Sequence, residues 1–312
     1  MLDSLAIIIE RPFDLSLRRV RLDAPAATDV VVEVAWSGVS TGTEKLIFTG
    51  EMPPFPGMGY PLVPGYEATG TIVEAGHAVR GRLGETVFVP GARCFGEMRA
   101  LFGADSRHLV VPAERAVRVP AALGANATLL ALAATARHAI RVAGGAPELI
   151  VGHGVLGRLI ARLATLDGGA PVVWETRAAR FAGARGYEVW AAADDPRRDY
   201  RTIIDASGDS AILDRLIGRL APGGMIALAG FYAAPLGFAF PPAFMREARI
   251  AIAAQWQPED LADVAALVAA GRLDLSGLVT HRVPAADAAE AYPAAFNDDS
   301  CLKLLIDWRD MT

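Results

Sequence analysis

The chain has 312 residues, 53% of them hydrophobic and 21% charged, with a formal net charge of -5 at neutral pH. That length exceeds one ordinary core and predicts two domains. The acidic balance argues against a nucleic-acid partner, which calls for a cationic face, and no low-complexity tract points to disorder.

The first eleven residues, MLDSLAIIIER, lack a basic region ahead of their short apolar stretch. They read as a first strand and not as a signal peptide. Val30–Val34, Gly70–Glu74 and Thr86–Val89 are β-branched runs bounded by turn residues, so the first third is expected to be strand-rich. After Pro120 the character changes. Ala125–Val142 is Ala/Leu-rich with helical spacing and closes at Gly144 and Gly145.

Then short apolar runs alternate with helical stretches. Glu148–Val151, Pro171–Trp174, Glu188–Trp190, Thr202–Asp205, Met225–Ala229 and Arg249–Ala253 are the expected strands, and a helix runs from the Gly152–Gly157 turn to Leu166. Such alternation predicts a parallel, doubly wound sheet. From about Gln257 the tail is expected to hold a helix, a strand near Val279 and a last strand over Leu302–Ile306. Gly223–Met245 carries no charge and is long enough to span a bilayer, yet Pro235, Gly237, Pro241 and Pro242 interrupt it. It is expected to be a buried strand followed by an apolar loop, without stable membrane insertion. Only two cysteines occur, Cys94 and Cys301, far apart. They form neither a disulfide framework nor a thiolate metal site and suit a reducing, cytoplasmic setting.

The clearest chemical signal is Gly152-x-Gly154-x-x-Gly157, which follows an apolar strand and opens a helix. The first glycine makes the turn, the second admits a pyrophosphate against the backbone, and the third lets helix and strand pack closely. The anion then lies at a helix N-terminus, at Val155 and Leu156, where free N–H groups favour negative charge. Glu175 ends the next strand, where a carboxylate accepts from ribose hydroxyls and repels a 2′-phosphate. The expected cofactor is therefore NAD, although Arg177 and Arg180 lie near enough in sequence to serve a phosphate. His153, inside the turn, reads as a solvent-facing spacer.

A strand-rich domain, a dinucleotide fold and a returning tail, in that order, resemble the medium-chain dehydrogenase/reductase superfamily of zinc-type alcohol dehydrogenases. Gly38-Val-Ser-Thr-Gly-Thr-Glu44 resembles the segment that supplies the first catalytic-zinc ligand. Pro64-Gly-Tyr-Glu67 resembles the Pro-Gly-His-Glu segment that supplies the second, and Ala131–Thr135 the helix start that supplies the third. The resemblance implies a GroES-like β-rich catalytic domain over 1–118, a Rossmann NAD-binding domain over 119–256, and a return to the catalytic domain over 257–312. It also places Ser207 and Gly230, at glycine-rich strand ends, against the cofactor. A homodimer joined along the sheet edge near Arg249–Ala253 is implied as well.

The ligand positions themselves have changed. Ser40 stands for Cys, Tyr66 for His, and Ala131 for the third ligand, while Glu67 is retained. One carboxylate cannot hold a catalytic zinc that needs three protein ligands, so no bound metal is expected. A narrower resemblance, carried by Ser40–Glu44, Met52–Glu67 and Val151–Arg158, is to the dehydrogenases of bacteriochlorophyll synthesis. It implies NAD-linked oxidation of the 3-(1-hydroxyethyl) group of a magnesium chlorin, a bacteriochlorophyllide, to 3-acetyl.

Without a metal the hydroxyl needs orientation and a proton acceptor. Tyr66 is the first candidate and Glu67 the second, with Ser40, Thr41 and Thr43 as a proton relay. Lys303 resembles the family's basic position near the C-terminus, expected to reach the pyrophosphate or to pair with Glu44. Met52, Phe55, Met58 and Tyr60 offer soft apolar surface, stiffened by prolines, to a flat macrocycle. His138, His153 and His281 are the histidines available to the substrate's magnesium. Two rival readings remain: a zinc-free quinone or enone reductase, against which Glu175 counts, and a tetrapyrrole carrier without turnover.

Overall fold

The computed structural model describes residues 2–311. They divide into two units. One is the chain up to Ala131 together with the chain from Leu278 onward, and the other is Leu132–Gly277. In chain order the first unit opens with β1 (Leu2–Arg11), β2 (Asp14–Leu22) and β3 (Asp29–Val39). A short helix α1 (Thr43–Thr49) and β4 (Leu62–Pro64), β5 (Ala68–Ala75) and β6 (Thr86–Val89) come next. The strands β7 (Arg99–Leu101), β8 (His108–Pro112) and β9 (Val117–Arg118) complete the N-terminal part. Helix α2 (Leu130–Val142) leads to β10 (Leu149–Val151), α3 (Val155–Leu166), β11 (Val172–Trp174) and β12 (Glu188–Trp190). Then come β13 (Tyr200–Asp205), α4 (Leu213–Ile217), β14 (Leu220–Leu228), α5 (Phe240–Met245), β15 (Arg249–Ile252) and α6 (Pro258–Ala269). The tail supplies β16 (His281–Pro284), α7 (Ala288–Asn297) and β17 (Leu304–Asp307).

The first unit is two sheets. One has the order β2-β1-β4-β7; the other runs β16-β17-β3-β5-β6-β9, with β8 also paired to β3. The second sheet is built around β3, where Val30, Val32 and Val34 are fully buried. The tail strand β17 pairs antiparallel with β3 in the register Leu304 to Val39 and Leu305 to Gly38. That pairing brings the end of the chain beside the Gly38–Glu44 segment.

The second unit is one parallel sheet with the order β12-β11-β10-β13-β14-β15. Its central strands are apolar throughout, with Leu149, Ile150, Ile203, Ile204 and Ile226 fully buried, because helices cover both faces of such a sheet. The order reverses direction between β10 and β13, which is where a doubly wound sheet opens a crevice for a nucleotide.

The unit bounds differ from the expected 118/119 and 256/257. Ala121–Leu129 forms tight 3₁₀ turns that pack on β3, β5 and β6, which keeps this segment in the first unit. Helix α6 stays with the second unit. His138 Nδ1 lies 2.9 Å from Asp260, and Arg162 donates to the Asp274 carbonyl at 2.6 Å. Helix α7 was not expected at all. The expected first strand is β1, with Met1 outside the described residues. The uncharged Gly223–Met245 segment is the end of β14, a loop and α5, and no helix among the described residues is long and apolar enough to cross a membrane.

Candidate active site

In the second unit the glycine turn has the geometry its spacing predicts. Gly152 has φ +96°, a left-handed conformation that favours glycine. A Cβ on Gly157 would lie 1.8 Å from the Gly152 carbonyl oxygen, so the third glycine is what lets α3 seat against the strand end. Gly154 begins α3 with no side-chain cap, leaving the first N–H groups, at Val155 and beyond, for an anion. A Cβ on Gly230 would meet the Gly208 backbone nitrogen at 3.0 Å, so the ends of β13 and β14 also come together closely, next to exposed Ser207. These residues fit a dinucleotide.

Glu175 is buried, and its carboxylate accepts backbone N–H groups from His153 at 3.0 Å, Thr176 at 2.7 Å and Arg177 at 2.8 Å. Burial alone would raise its pKa; the three N–H donors outweigh burial and hold it below the usual carboxylate range. A fixed negative charge therefore stands at the end of β11.

His153 is a correction. It is fully buried and not solvent-facing: Nδ1 lies 2.6 Å from the Arg180 carbonyl and Nε2 lies 2.9 Å from the Tyr187 hydroxyl. Burial pulls its imidazole down to about 4, so it is a neutral brace between the turn and the 180–187 segment. Arg158 extends the brace by donating to the carbonyls of His153 and Ala182 at 3.0 and 2.7 Å. His138 and His281 are occupied too, by Asp260 at 2.9 Å and by Asp298 at 3.3 Å. None of the three is singled out for the substrate's magnesium.

In the first unit the polar residues converge on Tyr66. The strand end at Pro64–Gly65 accepts N–H groups from Phe102, Ala104 and Asp105. These bonds bring Phe102 to the Tyr66 ring, edge to face, with centroids 5.9 Å apart. They also bring Asp105 against Gly65, whose φ is +93° and whose Cβ would lie 2.8 Å from the Asp105 carboxyl. Ser40 and Thr43 lie beside the Tyr66 phenol, and their hydroxyls pull its acidity down against the effect of burial. Burial, with the charges of Glu44 and Glu67 behind it, pushes the phenol well above its ordinary value. Tyr66 is therefore a neutral hydrogen-bonding group at physiological pH. Ser40 also accepts the Gly42 and Thr43 amides at 3.2 and 3.3 Å. Thr41 joins no hydrogen bond of this network among the described residues.

Glu67 lies behind Tyr66 in an ion pair with Lys303, whose Nζ is 2.7 Å from Oε2, and both side chains are essentially inaccessible. Lys303 thus forms an internal ion pair, one of its two expected roles, but with Glu67 as its hydrogen-bonded partner and not Glu44. Gly38 makes the space: a Cβ there would fall 2.1 Å from Glu67 Oε2.

Two acidic members of the cluster were missing from the expected base and relay: Glu44, expected only as a partner for Lys303, and Asp105, not expected at all. Burial pushes Asp105 up to about 7, against the pull of the neighbouring Ser37 and Tyr292 hydroxyls. A carboxyl raised in the folded state stabilises the fold while protonated, fully below its ordinary value of 3.8, and that stabilisation is lost as pH climbs to about 7. Asn cannot ionise. Relative to the parent protein, an Asp105→Asn variant is thus expected to gain several degrees in melting temperature between about pH 4 and pH 7. Parallel melting curves across that window would refute the assignment.

The proposed macrocycle face is reshaped. Met52 is buried in the core, so its surface is not on offer. Tyr60 donates to the Ile47 carbonyl and ties the segment to α1, and Met58 is half-buried. Phe55 is 38% exposed and packs edge to face on Phe102 at 6.3 Å. Phe102, which the sequence did not single out, links the segment to Tyr66.

The comparisons with known proteins agree with this architecture. Residues 26–121 match the alcohol dehydrogenase GroES-like domain. An Escherichia coli alcohol dehydrogenase solved with NADH superposes with a TM-score of 0.83 at 23% identity, covering 98% of this chain and 99% of that one. A Sinorhizobium meliloti putative zinc-binding dehydrogenase bound to NADP gives 0.80 at 20% identity, over 98% and 100%. The class is thus a GroES-like domain joined to a Rossmann-type nucleotide-binding domain, the fold of the medium-chain dehydrogenases. Within it, the 2-desacetyl-2-hydroxyethyl bacteriochlorophyllide A dehydrogenase of Cereibacter sphaeroides is 58% identical over 97% of this chain and 98% of its own length. That of Rhodobacter capsulatus is 54% identical over 99% of both. The chain belongs to this family of bacteriochlorophyllide dehydrogenases.

Proposed function

We propose that the protein oxidises the 3-(1-hydroxyethyl) group of a bacteriochlorophyllide to 3-acetyl, with NAD as hydride acceptor and without zinc. The observation that carries the reading is the buried Glu67–Lys303 pair next in sequence to Tyr66, whose hydroxyl replaces a metal ligand in the resembling motif and has Ser40 and Thr43 beside it. NAD, when bound, takes the hydride. Gly152, Gly154 and the α3 N-terminus hold its pyrophosphate, and Gly230 and Ser207 lie where β13 and β14 end.

The ionised Glu175 supports NAD over NADP, since a phosphate beside it meets a fixed negative charge. Among the described residues no group of three or more His, Cys, Asp or Glu is placed to hold a metal ion. The substrate supplies part of what zinc does elsewhere: the reacting carbon adjoins a conjugated macrocycle, so charge developing as hydride leaves is delocalised. Tyr66 orients the hydroxyl, and Phe55 and Phe102 offer aromatic surface to the ring.

The decisive experiment is incubation with a magnesium hydroxyethyl chlorin and either NAD or NADP, reading NADH and the pigment spectrum. Turnover with NAD and a much slower reaction with NADP are expected. Pigment binding without reduced cofactor would make the protein a carrier and overturn the reading.

The working form is a homodimer in the cytoplasm. The edge strand β15 leaves one side of the parallel sheet unpaired, and beside it Phe240, Phe244, Met245 and Ile252 are 68%, 65%, 75% and 67% exposed. A second copy paired strand to strand covers both features. Sedimentation at twice the chain mass, shifting toward the monomer in Ile252→Glu, is expected; a monomeric parent protein would contradict it.

A further inference from the structure

The segment between β11 and β12 starts at Glu175, and the 3₁₀ turn Ala178–Arg180 is its only regular structure. Residues 176–179 and 182–186 are exposed, so burial of the segment itself does little to hold it. It is held from beneath by one side chain of the glycine turn and one of α3, both buried. His153 Nδ1 donates to the Arg180 carbonyl at 2.6 Å, which leaves Nε2 to accept the Tyr187 hydroxyl at 2.9 Å. Arg158 Nη2 donates to the Arg180 and Ala182 carbonyls at 3.1 and 2.7 Å, and its Nε to the His153 carbonyl at 3.0 Å. Gly183 fits this grip: its φ is +90°, and a Cβ there would lie 2.1 Å from Arg158 Nη1. The far end is tied separately, by Arg185 to Ser276 at 3.0 Å.

Two observations set this arrangement apart from packing. Arg158 is a buried guanidinium with no carboxylate at ion-pair distance among the described residues; its bonds go to carbonyls. An apolar side chain would fill the same space at lower cost. The bonds also join the two places where a nucleotide meets the turn. The His153 amide donates to Glu175 Oε2 at 3.0 Å. The His153 side chain holds Arg180, whose guanidinium lies 3.8 Å from the position of a Cβ on Gly154, the glycine that admits the pyrophosphate. The Thr176 and Arg177 amides that fix the Glu175 carboxylate belong to the same segment.

Resting on the reading above that NAD is the cofactor, we propose that His153 and Arg158 are positioning residues for its adenosine half. They hold residues 176–183 as a preformed wall and so set both the affinity for NAD and the preference for NAD over NADP. Neither touches the reacting atoms. With the grip removed, only a fraction of the molecules presents the wall in its binding conformation, and the apparent dissociation constant rises accordingly. Discrimination falls with it, because Glu175 repels a 2′-phosphate fully only while the amides that fix its carboxylate stay in place.

The test is NADH fluorescence titration, with ADP-ribose as a competing ligand, on His153→Leu and Arg158→Met. In both, the dissociation constants for NADH and for ADP-ribose are expected to rise about 10-fold. The NAD-to-NADP preference is expected to shrink, while kcat at saturating NAD stays within a factor of two. His153→Leu removes no charge, so a parallel loss in the two variants separates the grip from the field of the guanidinium. His153→Asn, whose amide can still donate to the Arg180 carbonyl, is expected to recover most of the affinity. Tyr187→Phe loses one hydroxyl and is expected to shift the same constants about threefold, which covers the case in which the buried substitutions do not fold. Variants with the parent's ADP-ribose affinity and coenzyme preference would overturn the proposal, and so would a kcat that falls as far as the affinity. A parent protein that binds no NADH would instead sink the proposed function.

Discussion

Replacing Lys303 by Met is expected to be the most damaging single change in the first unit. The methionine matches the length of the lysine stem but leaves Glu67 buried without its ammonium. Breaking a buried pair in this way costs about 3–5 kcal/mol, because the remaining charge has neither water nor partner. For a domain of this size that is on the order of 10 °C in melting temperature. The loss has a definite pH dependence. Without Lys303 the folded-state pKa of Glu67, already raised by burial, rises further. A carboxyl raised in this way is neutral and harmless at low pH and becomes a liability as pH climbs. The deficit of Lys303→Met is therefore expected to be small near pH 4 and full above neutrality. The double variant Lys303→Met, Glu67→Gln, which removes both charges, is expected to recover much of it. Equal deficits at both pH values, or a double variant no better than the single one, would mean the pair is not an isolated buried ion pair.

In Gly157→Ala both cofactor affinity and stability are expected to fall. The new methyl would sit 1.8 Å from the Gly152 carbonyl oxygen, against backbone that cannot rotate away. Either α3 moves off the end of β10 or the turn opens, at a cost near 3 kcal/mol. In both cases the first N–H groups of α3 no longer converge on one anion. NAD affinity is then expected to drop about 100-fold, with a lower melting temperature. Gly154→Ala separates the two effects. The nearest atom to its Cβ is an Arg180 guanidinium nitrogen at 3.8 Å, so the protein tolerates the methyl and only the approach of the pyrophosphate is blocked. Melting temperatures together with NADH fluorescence titration distinguish them. A Gly157→Ala protein retaining both parent values would remove the turn from the account.

The features legible in the sequence were those that backbone geometry or strand burial enforces locally. Gly152, Gly154 and Gly157 announced the nucleotide turn because few residue types tolerate that path. The six parallel strands announced themselves as short apolar runs, since a sheet covered on both faces leaves no polar alternation to blur them. The missed features are those decided by residues distant in sequence. The Lys303 partner, Glu67, is 236 residues away, and the Tyr292 hydroxyl on Asp105 comes from 187 residues away. His153 looked like a loop spacer because the groups that bury it, Arg180 and Tyr187, follow 27 and 34 residues later. Helix α7 hid behind Pro293 within it. Met52 read as ligand surface when its neighbours, not its type, place it in the core.

The same contrast explains why the site is partly legible. Tyr66 stood out as a substitution within a motif, and Ser40 and Thr43 lay in a second motif that the fold brings to its hydroxyl. Glu44 was visible in that second motif as well, but its burial near Lys303 and Glu67 exists only in three dimensions.

The measurement that bears most directly on zinc-free oxidation of a hydroxyethyl chlorin is turnover by metal-stripped protein. The enzyme is treated with a strong chelator, its zinc content is measured, and the magnesium pigment and NAD are added after the chelator is removed. NADH formation and the acetyl-pigment spectrum are expected at the untreated rate, with no zinc in the protein and no gain on adding it back. Activity that disappears with the metal and returns with zinc would contradict it.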